Sequence, residues 1–258
     1  MGSGKGGGGG RRRIAGGGGP KAGGGGAKAP QQLEKLPENQ LATKPYLAPG
    51  EQEMQINPGG QLVGPGVAVE KLAQADKDSI IAYSGAYVDG GERFKGLNAE
   101  KVNRSLYDPE GFKRTLEMAG ESPASVADYV KRAKAYQVEL DRSLSKVRDY
   151  EGEVYRVVSN AEIGGKRLSD SFVAGKPVSF KEFLSTSRAP NGSYKSFAKA
   201  GNNEIRFKIA SKHGKSIEKV SWATSEREVL FKSGSSFNVV SKTYNAERGS
   251  WDIVLSEI

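Results

Sequence analysis

The sequence contains no cysteine and only one histidine, and these shortages exclude several kinds of chemistry. Without cysteine there is no disulfide, no thiol nucleophile and no thiolate metal ligand. A serine–histidine–aspartate triad would have to use His213, and a zinc site would lack ligands. His213 lies in the turn-like sequence 211–214, and we expect it to have no direct chemical role.

Long apolar runs are also missing. No run approaches the roughly 18 residues that a membrane-spanning helix needs, so no transmembrane segment is expected. The N-terminus lacks the apolar core of a secretory signal. If the protein is exported, we expect a route that does not depend on a conventional signal peptide.

The first thirty residues lack acidic side chains and contain fifteen glycines and six lysines or arginines. Such a segment cannot bury enough apolar surface to offset the entropy cost of ordering it, so it is predicted to be disordered. Residues 31 to about 65 remain rich in Gln, Pro and Gly and are predicted to be a linker. We therefore expect a tail and linker over 1–65 and one folded domain over 66–258.

This basic tail supplies six of the nine net positive charges, so a nucleic-acid-binding patch on the folded part is not implied. The tail itself could contact nucleic acid or anionic lipid through nonspecific electrostatics. A solubilising leader, or in part a cloning scar, is the alternative, and both interpretations remain open.

Helical spacing of apolar residues begins near residue 66. A stripe over 67–84 is followed by shorter helical patterns near Asn98 and over 109–119, and by a long one over 123–147. Ser122 is a good N-cap for the long helix and Pro123 suits its first position. Its apolar residues recur every three or four positions, which gives one buried face.

After residue 150 the period changes to two, as in a half-buried strand. Ile205, Phe207 and Ile209 alternate with charged residues, and the C-terminus alternates in the same way over 251–255. Further strand-like runs occupy 153–158, 182–187, 228–232 and 236–243. Helices followed by short strands predict an α+β domain with a β-sandwich core.

Arg156 lies in the first of these strands, on the same side as Val154 and Val158. A charge that points toward an apolar side needs a partner. A guanidinium suits a phosphate or carboxylate because it donates two parallel hydrogen bonds. Taken alone, a structural salt bridge or a surface face is the ordinary explanation.

Two further segments supply hydroxyls and carboxylates: Ser185, Thr186 and Ser187 in one strand, and Glu226 and Glu228 at the start of another. If the second segment is extended, both glutamates point to the same side and their charges repel. A solvated strand edge is the ordinary explanation. Paired carboxylates also serve reactions in which one group steadies a cation and the other handles a proton.

The order and spacing of these segments resemble the R, STS and ExE motifs of the arginine-specific mono-ADP-ribosyltransferases of the clostridial iota-toxin type. The steps are 29 residues from Arg156 to Ser185 and 41 from Ser185 to Glu226. Flanking segments 81–98, 140–156 and 231–239 are similar too. Residues 231–233 depart from the family, which often has a proline there. The resemblance implies a helical lobe packed on a β-sandwich of two antiparallel sheets.

The resemblance also implies NAD+ as a substrate, bound without a Rossmann fingerprint, and no metal. Arg156 would hold the pyrophosphate, and Thr186 and Ser187 would shape the pocket for the nicotinamide ribose. Arg188 would assist the phosphates. Tyr194 or Phe197, in the following loop, would stack on nicotinamide.

Catalysis is implied for three residues. Ser185 would position Glu228, and Glu228 would stabilise the oxocarbenium ion left when nicotinamide departs. Glu226 would orient an acceptor arginine and take its proton. Trp222 is either an acceptor contact or a core aromatic residue.

The sequence therefore predicts an NAD+-dependent arginine ADP-ribosyltransferase, a secreted or injected toxin effector or a phage-delivered host modifier. Its partners would be NAD+ and a target protein with an acceptor arginine in the target-cell cytoplasm, and an immunity protein is left open. One alternative is an NAD+ glycohydrolase, with water as acceptor. Another is a non-catalytic module that binds nucleic acid or a protein partner.

Overall fold

The computed structural model describes residues 60–85, 94–163, 166–189, 203–222 and 224–258. The predicted tail and most of the linker lie outside these residues, as do Tyr194 and Phe197. None of the helices in this part of the chain combines the length and the apolarity that crossing a bilayer requires.

Four α-helices occur in the described residues: α1 Gln74–Tyr83, α2 Ala99–Tyr107, α3 Pro109–Met118 and α4 Pro123–Leu144. The predicted cap of α4 is confirmed, since the Ser122 side chain accepts a hydrogen bond from the Ser125 amide at 3.2 Å. Helix α1 begins later than predicted because a 3-10 turn at Val69–Lys71 and the extended backbone of Leu72 and Ala73 precede it.

The strands are β1 Gln61–Val63, β2 Asp149–Ser159, β3 Glu162–Ile163, β4 Lys166–Arg167, β5 Pro177–Ser179, β6 Leu184–Ser187, β7 Glu204–Ser216, β8 Glu228–Phe231, β9 Ser236–Asn245 and β10 Ser250–Glu257. Strand β1 falls inside the segment predicted to be linker. It pairs with β2 at Gln61–Glu151, Leu62–Tyr150 and Val63–Asp149. Residues 61–63 therefore belong to the sheet.

The predicted two separate antiparallel sheets are instead one hydrogen-bonded network of eight strands, with β3 and β4 forming a small separate pair. Strand β7 pairs along most of its length with β2 and β10, and its last residues, Lys215 and Ser216, pair with β8. Strand β6 pairs with both β8 and β2. Through these pairings, β2 and β7 connect strands that were predicted to form two separate sheets. The β7–β10 pair is parallel, whereas the other strand pairs are antiparallel.

Side chains of β8 alternate between two apolar cores. Val229 and Phe231 pack among the strands, whereas Leu230 packs against the helices. Because side chains two positions apart share a face, Glu228 points to the same side as Leu230. Phe183, just before β6, joins the helical core, and Ser185 on β6 lies opposite Leu230 in the β6–β8 pair, so it points to the same side. The candidate site therefore lies where the sheet meets the helices.

A contact between helix α2 and the start of β6 holds this junction. The Asn103 side chain accepts from the Phe183 amide and donates to the Phe183 carbonyl, both at 3.1 Å, and it also donates to the Tyr83 hydroxyl at 2.9 Å. The rings of Tyr83 and Phe183 meet edge to face with centroids 5.4 Å apart. Helices α1 and α2 are thus fastened to the strand that carries the hydroxyls.

Candidate active site

Glu228 is the centre of a buried cluster of hydroxyls. Glu228 is 5% exposed and is the first residue of β8, where it lies opposite Ser187 in the antiparallel pair with β6. The Ser185 hydroxyl donates to Glu228 Oε1 at 2.5 Å, and the Ser221 hydroxyl donates to Oε2 at 2.9 Å. The predicted contact between Ser185 and Glu228 is present, and Ser221 is an addition that the sequence did not indicate.

The electrostatics of Glu228 combine opposing effects. Burial raises the pKa of its carboxyl above the ordinary value, and the charge of Glu226 acts in the same direction. The hydroxyl hydrogen bonds from Ser185 and Ser221, together with the charge of Arg156, act to lower it. The carboxylate is therefore costly to bury and depends on its donors to stay ionised.

Arg156 lies beside this cluster on β2. Its Nη1 donates to the backbone carbonyl of Ser185. Burial lowers the pKa of Arg156, and the negative charges of Glu182 and Glu228 oppose that shift. A guanidinium stays protonated in proteins in any case, so the site contains a fixed positive charge beside Glu228.

Tyr83, at the end of α1, also faces the cluster. Burial raises the pKa of its hydroxyl, and the charge of Glu228 raises it further. The hydroxyl therefore stays protonated and neutral next to the two charged groups. The sequence marked Tyr83 only as part of a segment similar to the family, without a role.

Thr186 and Ser187 both hold backbone groups of the neighbouring segment. Thr186 donates to the Val229 carbonyl at 2.6 Å, and Ser187 donates to the Glu226 carbonyl at 2.5 Å. Their side chains are thus used to brace the segment that carries the two glutamates. Their predicted contact with the nicotinamide ribose remains a prediction.

Glu226 does not share an extended strand with Glu228, so the condition under which both side chains would point to the same side is not met. It ends a 3-10 turn over Thr224–Glu226, and Arg227 between the two glutamates has φ of +48°. The turn is held by bonds from the Arg227 amide to the Thr224 carbonyl at 3.2 Å and from the Arg188 amide to the Arg227 carbonyl at 3.1 Å. Glu226 is consequently half-buried, whereas Glu228 is buried.

The Trp222 side chain is 73% exposed, so it is not a core aromatic residue. Its backbone amide donates to the Ser84 hydroxyl at 3.1 Å, which ties the loop before Glu226 to the end of helix α1. The loop before the Glu226 turn therefore carries a large exposed aromatic ring.

Arg188 has partners within the protein. It forms an ion pair with Glu218 at 3.1 Å, and its guanidinium lies over the Tyr150 ring at 5.1 Å. Its predicted role at the phosphates stays a prediction. His213 Nδ1 lies 3.3 Å from an Asp149 carboxylate oxygen, within hydrogen-bonding distance, and His213 has no bond to the serine–glutamate cluster. Within the described ranges, no group of three histidine, aspartate or glutamate side chains could hold a metal ion.

Comparisons with known proteins show the family of the chain. The family model described as NAD:arginine ADP-ribosyltransferase matches residues 97–258. A Mycobacterium avium (strain 104) protein, whose assigned activity is that of an NAD(+)–arginine ADP-ribosyltransferase, is 34% identical over 118 residues. That match spans 46% of this chain and only 14% of the relative's length.

Solved structures share the fold. The Vis toxin, an ADP-ribosyltransferase from Vibrio splendidus, is 20% identical with a TM-score of 0.51, over 74% of this chain and 76% of that chain. The catalytic domain of VahC from Aeromonas hydrophila is 18% identical with a TM-score of 0.50, over 72% and 100%. A further Vis structure contains agmatine and is 19% identical over 73% and 76%, with a TM-score of 0.51.

Proposed function

Because this chain belongs to the NAD:arginine ADP-ribosyltransferase family, we propose that it transfers ADP-ribose from NAD+ to an arginine side chain and releases nicotinamide. The observation that carries the proposal is the buried Glu228 carboxylate, held by two serine hydroxyls beside the Arg156 guanidinium. A negative charge fixed in a water-poor site is what a developing sugar cation requires.

NAD+ binding in this proposal relies on Arg156. A guanidinium can donate two parallel hydrogen bonds to phosphate oxygens. Its bond to the Ser185 carbonyl uses Nη1 and orients the group beside the hydroxyl strand. Donors on its other nitrogens would hold the pyrophosphate and direct the nicotinamide ribose toward Glu228.

The first chemical step breaks the bond between the nicotinamide nitrogen and C1′ of the ribose. The bonding electron pair leaves with nicotinamide, which becomes neutral, and positive charge develops on the ribose. Glu228 stabilises that charge and accepts a hydrogen bond from the ribose 2′-hydroxyl. Ser185 contributes by fixing one of the two carboxylate oxygens.

The second step joins the acceptor to C1′. A guanidinium nitrogen is a poor nucleophile because an arginine side chain stays protonated at neutral pH. Glu226 would grip and polarise this group and take one proton as the new carbon–nitrogen bond forms. Agmatine, present in one Vis structure, carries such a guanidinium and is a suitable small acceptor.

The proposal is tested by incubating the purified chain with NAD+ labelled in its adenylate part, with and without agmatine. We expect nicotinamide release and a labelled ADP-ribosyl-agmatine product, and Glu228→Gln is the matched control for contaminating activity. Free ADP-ribose as the sole product would support an NAD+ glycohydrolase instead. No release of nicotinamide would support a non-catalytic binding module.

We place the catalytic domain at about residues 60–258, with the tail and linker outside it. The family relation supports a secreted toxin or an effector that acts inside a target cell on a protein arginine. We also propose that an immunity protein binds the enzyme. The basic tail is proposed to contact nucleic acid nonspecifically. Mass spectrometry of modified proteins from exposed cells would identify the acceptor.

A further inference from the structure

Ser221 is a buried serine that no sequence motif marks. It is 5% exposed, and its hydroxyl donates to Glu228 Oε2 at 2.9 Å, while Ser185 occupies Oε1. Each carboxylate oxygen can accept more than one hydrogen bond. The two serines therefore fix the orientation of the carboxylate and leave acceptor capacity for a substrate hydroxyl.

The backbone around Ser221 is tied to the same glutamate. The amides of Val220 and Ser221 both donate to the Ile217 carbonyl at 2.9 Å, which closes a tight turn. The Ile217 amide in turn donates to the Glu228 carbonyl at 3.0 Å. Ser221 is thus anchored to Glu228 through both backbone and side chain, so its hydroxyl has little freedom to turn away.

We propose that Ser221 is a positioning residue for the reaction, which holds the ionised Glu228 carboxylate in the orientation that stabilises the ribose cation. This inference rests on the proposed function. A hydroxyl that donates to a charged carboxylate in a buried site favours the ionised form, whereas burial favours the neutral form. Only the ionised form can stabilise the cation.

Other charged or titratable groups face Glu228 from the neighbouring elements: Glu226 from the turn before β8, Arg156 from β2 and Tyr83 from α1. Glu226 opposes ionisation and Arg156 favours it. Because burial and Glu226 already favour the neutral form of Glu228, the loss of one of the two hydroxyl donors shifts the balance toward the protonated acid.

Ser221 acts on Glu228, which serves transfer and hydrolysis alike. Removing its hydroxyl should therefore lower both activities together. This separates Ser221 from Glu226, whose carboxylate serves the acceptor alone.

The test measures kcat for nicotinamide release against pH in the wild-type chain and in Ser221→Ala. The pKa of Glu228 rises when a donor is lost, so the acid limb of the profile should move to higher pH by about one unit. Ser221→Thr, which keeps a hydroxyl, should restore most of the wild-type limb. If the alanine variant fails to fold, Ser221→Cys is the alternative, because cysteine has a similar shape but is only a weak donor. Its acid limb should also move to higher pH.

Ser143→Ala is the matched control, because Ser143 is also a buried serine that donates to a carboxylate, Asp76, at 2.9 Å. Its acid limb should coincide with that of the wild type. An unshifted limb in a folded Ser221→Ala or Ser221→Cys variant, beside an active wild type, overturns the role of Ser221. A wild type that releases no nicotinamide overturns the proposed function, and this inference with it.

Discussion

Glu228 and Glu226 stand two positions apart in the chain, yet they occupy different environments. Glu228 is 5% exposed, sits on a strand and receives two serine hydroxyls. Glu226 ends a 3-10 turn and is half-buried, and among the described residues nothing bonds to its carboxylate. A buried, oriented carboxylate suits the stabilisation of a cation, whereas a partly exposed carboxylate is available to an incoming acceptor.

Arg227 causes much of this difference. Its left-handed backbone interrupts the extended chain between the glutamates, so the side chains need not lie on one strand face. The two side chains are identical, so their different proposed roles follow from their different environments. Each variant below tests that division.

The largest effect is expected for Glu228→Gln. It removes the charge that stabilises the ribose cation and should lower nicotinamide release about a thousandfold. The neutral amide avoids the cost of burying a charge, so the thermal unfolding midpoint should not fall far. Single-turnover kinetics and a thermal scan measure both. Near-normal release from a folded variant would contradict the role of Glu228.

Glu226→Gln should lower transfer to agmatine about a hundredfold, because the acceptor loses the group that takes its proton. Hydrolysis of NAD+ should persist, since water needs no carboxylate to hold a guanidinium. The ratio of ADP-ribosyl-agmatine to free ADP-ribose measures the split. Equal losses of both products would show that the two glutamates do not have separate roles.

Arg156→Lys should raise KM for NAD+ about tenfold, because an ammonium cannot donate the paired bonds of a guanidinium. Steady-state kinetics over a range of NAD+ concentrations measure the change. Arg132→Lys is the control, since Arg132 lies on α4 and bonds to Asp128. If both variants behave alike, the Arg156 guanidinium is not a specific anchor for NAD+.

Substitutions of Arg227 test its backbone conformation. Glycine adopts positive φ readily, whereas a β-branched residue does not. Arg227→Val should therefore be less stable than Arg227→Gly by about 1–2 kcal/mol in urea unfolding. Transfer should fall more than hydrolysis in the valine variant. Equal stability and equal product ratios would mean that the turn tolerates other conformations.

Removal of the N-terminal segment should have the smallest effect. A chain that starts at residue 60 should match the full chain in nicotinamide release and thermal midpoint. A chain that starts at residue 66 loses strand β1 and should melt about 2–4 °C lower. If both truncated chains melt alike, β1 contributes little to the domain.

Local patterns predicted much of the fold. The Ser122 cap, Pro123 and the spacing of apolar residues located helix α4, and alternation located β7 and β10. These signals succeed because capping and periodicity act within a few residues. Strand β1 escaped prediction because three residues are too short to establish a period.

The site was predicted in part. Ser185 meets Glu228 as expected, and Arg156 lies beside both. Ser221 could not be found, because a lone serine before an exposed tryptophan carries no periodic or motif signal. The arrangement of Glu226 also escaped, since alternation assumes an extended chain and Arg227 breaks it.

The sequence by itself determined which groups are present and in which order: an arginine, three hydroxyls and two carboxylates, without cysteine and with one histidine. It also determined the α+β class through local periodicity. Only the tertiary structure decided that Glu228 is buried between Ser185 and Ser221 while Glu226 stays half-buried in the turn before it. Burial and hydrogen bonding depend on strands and turns distant in the chain, and residue spacing alone does not encode those contacts.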